Sequence, residues 1–160
     1  TAALGPADFA WLDDQRRAFF PPDRNQLDAH LTMFHALAPA LEEEVRRLLK
    51  RLTSAERPAA TVTSLMNLGR GVAYRITAPG LEAIRAEIAG HFHGMLTAQD
   101  AGGWRPHVTI QNKVQPSEAR ALLERLDRKF RRRPLDIAGL ALHRYLGGPW
   151  ELLGRFPFRG

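Results

Sequence analysis

A chain of 160 residues holds one domain, or two small lobes that share a core, and can bury about two thirds of its unfolded surface without covalent staples. The absence of cysteine excludes disulfides and thiolate metal sites, and no apolar run approaches the roughly 18 residues of a membrane span. With no basic-then-apolar leader, the sequence reads as a soluble, cytoplasmic, monomeric protein; its net charge of +6 favours an anionic partner, nucleic acid or phosphate first.

Thr1 to Leu4 reads as the end of a strand. From Asp8 to Phe20 the residues Phe9, Leu12, Phe19 and Phe20 recur among charged neighbours as a helical stripe that Pro21-Pro22 stops. Arg24-Asn25 makes a polar turn, and Ala29 to Met33 follows as a strand. Pro39 opens a second helix with Leu41, Val45, Leu48, Leu49 and Leu52 at helical spacing. Its first turn is acidic (Glu42 to Glu44) and its later turns basic (Arg46, Arg47, Lys50, Arg51), as the helix dipole prefers. Thr61 to Leu65 and Val72 to Ile76 form a hairpin around Gly69-Arg70-Gly71. After Pro79-Gly80 a helix runs through Leu81, Ile84, Ile88, Phe92 and Met95, and Asp100-Ala101-Gly102-Gly103 breaks it. A strand at Pro106 to Ile110 follows, then a helix from Pro116-Ser117 with Ala119, Leu122, Leu123, Leu126 and Phe130 on one side, ending in Arg131-Arg132-Arg133. Leu135 to Tyr145 and Trp150 to Phe158 make a last hairpin around Gly147-Gly148-Pro149.

The second half repeats the first: helix, His-x-Thr strand, helix, hairpin. His30 and His107 lie 77 residues apart, and the hairpin glycines Gly69 and Gly147 lie 78 apart. The repeat, roughly 1–77 and 78–160, predicts one α+β domain of two interleaved lobes related by a pseudo-two-fold axis. Each lobe has an antiparallel sheet with helices outside and a cleft between the sheets.

Within each repeat, His and Thr at i and i+2 of a strand share a face, while Leu31 and Met33, or Val108 and Ile110, point into the core. A pseudo-two-fold would bring His30 and Thr32 opposite His107 and Thr109. Two imidazoles across a small gap suit a reaction needing a base on one side and an acid on the other, and the hydroxyls can donate to phosphate oxygens. No Asp/Glu cluster lies near either motif, and no Gly-rich turn ends in Lys-Ser/Thr. Acid–base catalysis without metal or other cofactor therefore fits better than two-metal or triphosphate chemistry.

The paired motifs His30-Leu31-Thr32-Met33 and His107-Val108-Thr109-Ile110 resemble the two-histidine (2H) phosphoesterase superfamily, and within it the 2′-5′ RNA ligase-like proteins. The likeness extends to Pro21-Pro22-Asp23-Arg24-Asn25, Gln111-Asn112-Lys113-Val114 and Gly147-Gly148-Pro149-Trp150. It implies a bilobal fold with a central cleft, His30, Thr32, His107 and Thr109 as catalytic groups, and phosphodiesterase or ligase activity on 2′,3′-cyclic phosphates or 2′-5′ linkages of RNA ends or small nucleotides. Which histidine is base stays open, because the two are nearly equivalent. The alternatives are an RNA-binding module that keeps the cleft without the chemistry, and hydrolysis of a non-RNA cyclic phosphate.

Further candidates for substrate contact are Arg105, Gln111 and Lys113, which share the strand parity of His107, and Arg144 and Tyr145 in the last hairpin. His35, of opposite parity to His30, reads as a packing residue, His91 and His93 as surface residues, and His143 as structural. Trp11, Trp104 and Trp150 read as core, with Trp104 the best exception because it is close to His107. The basic run ending at Arg133 reads as a solvated helix end before an RNA-binding one.

Overall fold

Two antiparallel sheets carry the molecule, and one residue, Leu31, joins them. The computed structural model describes residues 1–160. Its elements in chain order are β1 (Ala2–Leu4), α1 (Pro6–Phe19), α2 (Glu42–Leu52), β2 (Thr61–Asn67), β3 (Val72–Thr77), α3 (Pro79–His91), α4 (Ala98–Ala101), β4 (His107–Gln111), α5 (Pro116–Asp127), β5 (Arg133–Pro134), β6 (Ile137–Tyr145) and β7 (Trp150–Pro157). One sheet has the order β1-β6-β7 and the other β4-β3-β2-β5, with every pairing antiparallel. Each sheet takes strands from both halves of the chain. The first half's hairpin β2–β3 pairs with β4, and the second half's hairpin β6–β7 pairs with β1.

Alternation explains which face is covered. Val108, Tyr74, Leu31, Ala2 and Leu140 are cross-strand neighbours and all buried, so they define one continuous apolar face. Helix α1 packs over β4 on that face, and the Tyr74 hydroxyl donates to Gln15 of α1 at 2.6 Å. Helix α2 buries the stripe Val45, Leu48, Leu49 and Leu52, while α3 buries Leu81 and Ile88. In the β2–β3 turn the Asn67 side chain accepts from the Gly69 amide at 2.7 Å. Gly69 has φ +85°, a conformation open to residues without a Cβ.

Three departures from the sequence reading have physical causes. The first His-x-Thr segment is not a laddered strand, because only Leu31 forms bridges, to Ala2 and to Val108. Its other backbone groups are satisfied by side chains, described below. Helix α3 stops at His91 rather than continuing to Met95; Gly94 turns into the left-handed region and Met95 is exposed. A short helix, α4, capped by the Thr97 side chain, stands where the sequence predicts only a break. In addition, Arg133–Pro134 form β5 and not a helix end, and Arg133 donates to Asp8 at 2.7 Å while lying over the Trp11 ring.

Candidate active site

Val108 and Ile110 of β4 point into the core with no exposed surface, which sends His107 and Thr109 to the opposite face. Leu31 is likewise fully buried, so His30 and Thr32 share that face. The antiparallel bridge Leu31–Val108 then sets the register: His30 lies across from Thr109, and Thr32 across from His107. His30 and His107 are diagonal neighbours, about 7–8 Å apart at Cα in such a pair, within reach of one small substrate group.

Both imidazoles are held the same way. Nδ1 of His30 lies 2.7 Å from the carbonyl oxygen of Asp28, and Nδ1 of His107 lies 2.7 Å from that of Arg105. A carbonyl only accepts, so Nδ1 carries the hydrogen and Nε2 is the nitrogen left for chemistry. Burial pushes the His30 pKa down to about 4. The Asp28 carbonyl opposes this shift, while the positive charges of Arg16, the N-terminus and His107 add to it. At neutral pH His30 is therefore an uncharged imidazole with a lone pair on Nε2.

Side chains from the surrounding helices fix the first motif in place of a strand partner. From α1, Asp13 accepts from the Ala29 amide at 2.8 Å and pairs with Arg17. Arg16 donates to the Asn25 side chain at 2.8 Å and to the Thr109 carbonyl at 3.0 Å, so one guanidinium touches the approaches to both motifs. On the other flank, Trp104 Nε1 donates to the Thr32 carbonyl and Arg85 Nε to the Met33 carbonyl, both at 2.9 Å. Asp100 accepts from the His35 and Ala36 amides and from His35 Nδ1. Burial opposes ionisation of Asp100, but these donors outweigh it and hold the carboxyl below its ordinary range.

The remaining expected contacts divide. Arg105 is exposed and has no ion-pair partner. Tyr145 is 70% exposed at the tip of the β6–β7 hairpin, across from Trp150. Gln111 does not extend the polar cleft: a register shift between Val72 and Ala73 interrupts the alternation, and its side chain is buried with Oε1 unpaired. Lys113 lies beyond the end of β4 in a left-handed turn with φ 63°. Arg144 is engaged by Glu151 at 2.9 Å and Glu42 at 3.5 Å.

Sequence reasoning misses Asp13, Arg16, Arg85 and Asp100, all buried charged residues. A signal for two of them exists: Asp13 and Arg16 fall three or four residues from Phe9, Leu12 and Phe20 on the inward stripe. Trp150, which reads as core in the sequence, is instead a wall of the site, its ring 4.8 Å from the His30 ring and 5.2 Å from the His143 ring. A cavity of about 550 Å³ opens beside His30, lined among others by Asp28, His143, Trp150 and Arg155. No three His, Asp or Glu side chains converge as a metal site.

A solved structure described as TT0787 of Thermus thermophilus is similar over 99% of this chain and 96% of its own, with a TM-score of 0.52 and 17% identity. That likeness concerns the fold. Comparison with curated proteins finds no match. The sequence profile described as the 2′-5′ RNA ligase superfamily matches residues 5–149, a span that contains both histidine motifs and every element except β1 and β7. The chain belongs to the 2′-5′ RNA ligase superfamily of two-histidine phosphoesterases.

Proposed function

We propose that this protein is a phosphodiesterase that opens 2′,3′-cyclic phosphates with water, or joins ends by opening them with a 5′-hydroxyl in place of water, with His30 as base and His107 as acid. The observation that carries the reading is the register at Leu31–Val108, which sets two His/Thr pairs diagonally on one face, each ring pinned through Nδ1. Nε2 of His30 takes a proton from water, whose oxygen attacks phosphorus in line. The bond from phosphorus to one ribose oxygen breaks, and Nε2 of His107 delivers a proton to that oxygen. Thr32 and Thr109 donate to the non-bridging oxygens as charge builds on them. The neutral state of His30 supports its role as acceptor; an imidazolium at His107 would still donate from Nδ1 to Arg105 while offering Nε2 to the leaving group.

The test is turnover of a nucleoside 2′,3′-cyclic phosphate in excess chelator by the wild type, His30→Ala and His107→Ala. Each substitution should lower kcat by about 10²–10⁴-fold with the circular dichroism spectrum retained. Wild-type rates in either variant would refute the proposal. Salt-sensitive RNA binding without product from any cyclic or 2′-5′ substrate would instead mark a binding module.

A further inference from the structure

The two histidines differ in the residues that stand directly across from them on the neighbouring strands. Beside His107, on the neighbouring strand, stands Arg75: the two are direct cross-strand partners in β3 and β4, so their side chains leave the same face about 4.5–5.5 Å apart at Cβ. Arg75 is exposed, and its guanidinium makes no hydrogen bond and no ion pair within the chain. Ser64 stands beyond it as its partner on β2, giving a transverse row Ser64, Arg75, His107, Thr32 with no carboxylate in it. Arg105, two residues before His107, is a second exposed guanidinium without a partner on the same flank.

The corresponding flank of His30 is different. The Ala2–Leu31 bridge puts Ala3 across from His30, and Gly139 lies across from Ala3. Trp150 and His143 complete that side. Cations lie near both histidines, since Arg155 lines the cavity beside His30, but only His107 has an unpaired guanidinium as its direct cross-strand neighbour; Arg155 is the partner of Ala141. Arg75 stands on the side of His107 away from Thr32 and His30, and so faces a substrate group that extends past the reacting phosphorus on that side.

We propose that Arg75, assisted by Arg105, binds a second phosphate of the substrate on the His107 side, so that the preferred substrate is an RNA end with a phosphodiester adjoining the cyclic phosphate, not a lone cyclic mononucleotide. This rests on the phosphodiesterase reading above and selects within it. A guanidinium pairs with phosphate through charge-assisted, often bidentate hydrogen bonds, which a solvated surface arginine would not redeem with any particular ligand.

The experiment compares a dinucleotide ending in a 2′,3′-cyclic phosphate with the cyclic mononucleotide, in the wild type, Arg75→Ala, Arg75→Lys and Arg105→Ala. The wild type should favour the dinucleotide in kcat/KM, chiefly through KM. Arg75→Ala should reduce that ratio about tenfold, Arg75→Lys less, and Arg105→Ala should move it in the same direction. A purely structural role would lower both substrates together and leave the ratio unchanged, which would overturn the proposal, as would the absence of any wild-type preference. Calorimetric binding of a dinucleotide 2′-phosphate against a mononucleotide 2′-phosphate gives the same contrast without turnover. Arg75-dependent binding in an enzyme that turns over neither cyclic substrate would sink the phosphodiesterase reading and keep this site. Turnover with no Arg75 dependence in either measurement would do the reverse.

Discussion

His30 and His107 hold equivalent places in the two repeats and the same Nδ1 bond to the carbonyl two residues back, yet their neighbours differ. Trp150 covers His30, and burial takes its pKa from 6.5 to about 4. Between those two values the unfolded chain binds more protons than the folded one, so stability rises with pH through that window and is lost as pH falls through it. Denaturant titrations at pH 7 and near pH 4.5 should show that acidification costs the wild type more than His30→Gln; equal losses would contradict the buried, neutral imidazole. The same group predicts that the acid limb of kcat/KM falls near pH 4, well below an ordinary histidine. Trp150→Ala should move that limb upward by rehydrating the ring, and a limb left in place would assign the shift to other neighbours.

At the scale of elements, the sequence pattern is strongest where periodicity does the work. Helices α2 and α5 and the two hairpins follow from apolar spacing and from glycine at the turns. The first motif reads as a strand because its alternation is that of a strand, whereas its backbone is held mainly by side chains of α1, α3 and the segment around α4. Asp100 carries much of that load on one flank. Asp100→Ala leaves the His35 and Ala36 amides and His35 Nδ1 without their acceptor, and should destabilise the fold by about 2–4 kcal/mol in urea titration. A loss below about 0.5 kcal/mol would mean that water replaces the carboxylate at no cost. Charged residues on an inward helical stripe, such as Asp13 and Arg16, are legible only as anomalies, since their partners lie far away in sequence.

Across the whole molecule, Leu31 is the junction of the architecture. It bridges to Ala2 of one sheet and Val108 of the other and is fully buried. Leu31→Ala should cost about 2–5 kcal/mol through lost burial and a cavity, and should lower activity more than an equally destabilising change in α2, such as Leu48→Ala, because the register of the two histidine motifs depends on it. Equal residual activity in the two variants would separate the site from this contact.

By itself the sequence determined the α+β class, the repeat at half-chain spacing and the two His-x-Thr pairs, because these depend on local alternation and on residue identity. The tertiary structure decided how each sheet draws strands from both halves, that Gln111 is buried and Arg144 engaged by carboxylates, and that Arg75 stands beside His107. Strand pairing and ion pairing join residues distant in the chain, and no local pattern encodes which distant partner a strand or charge will meet.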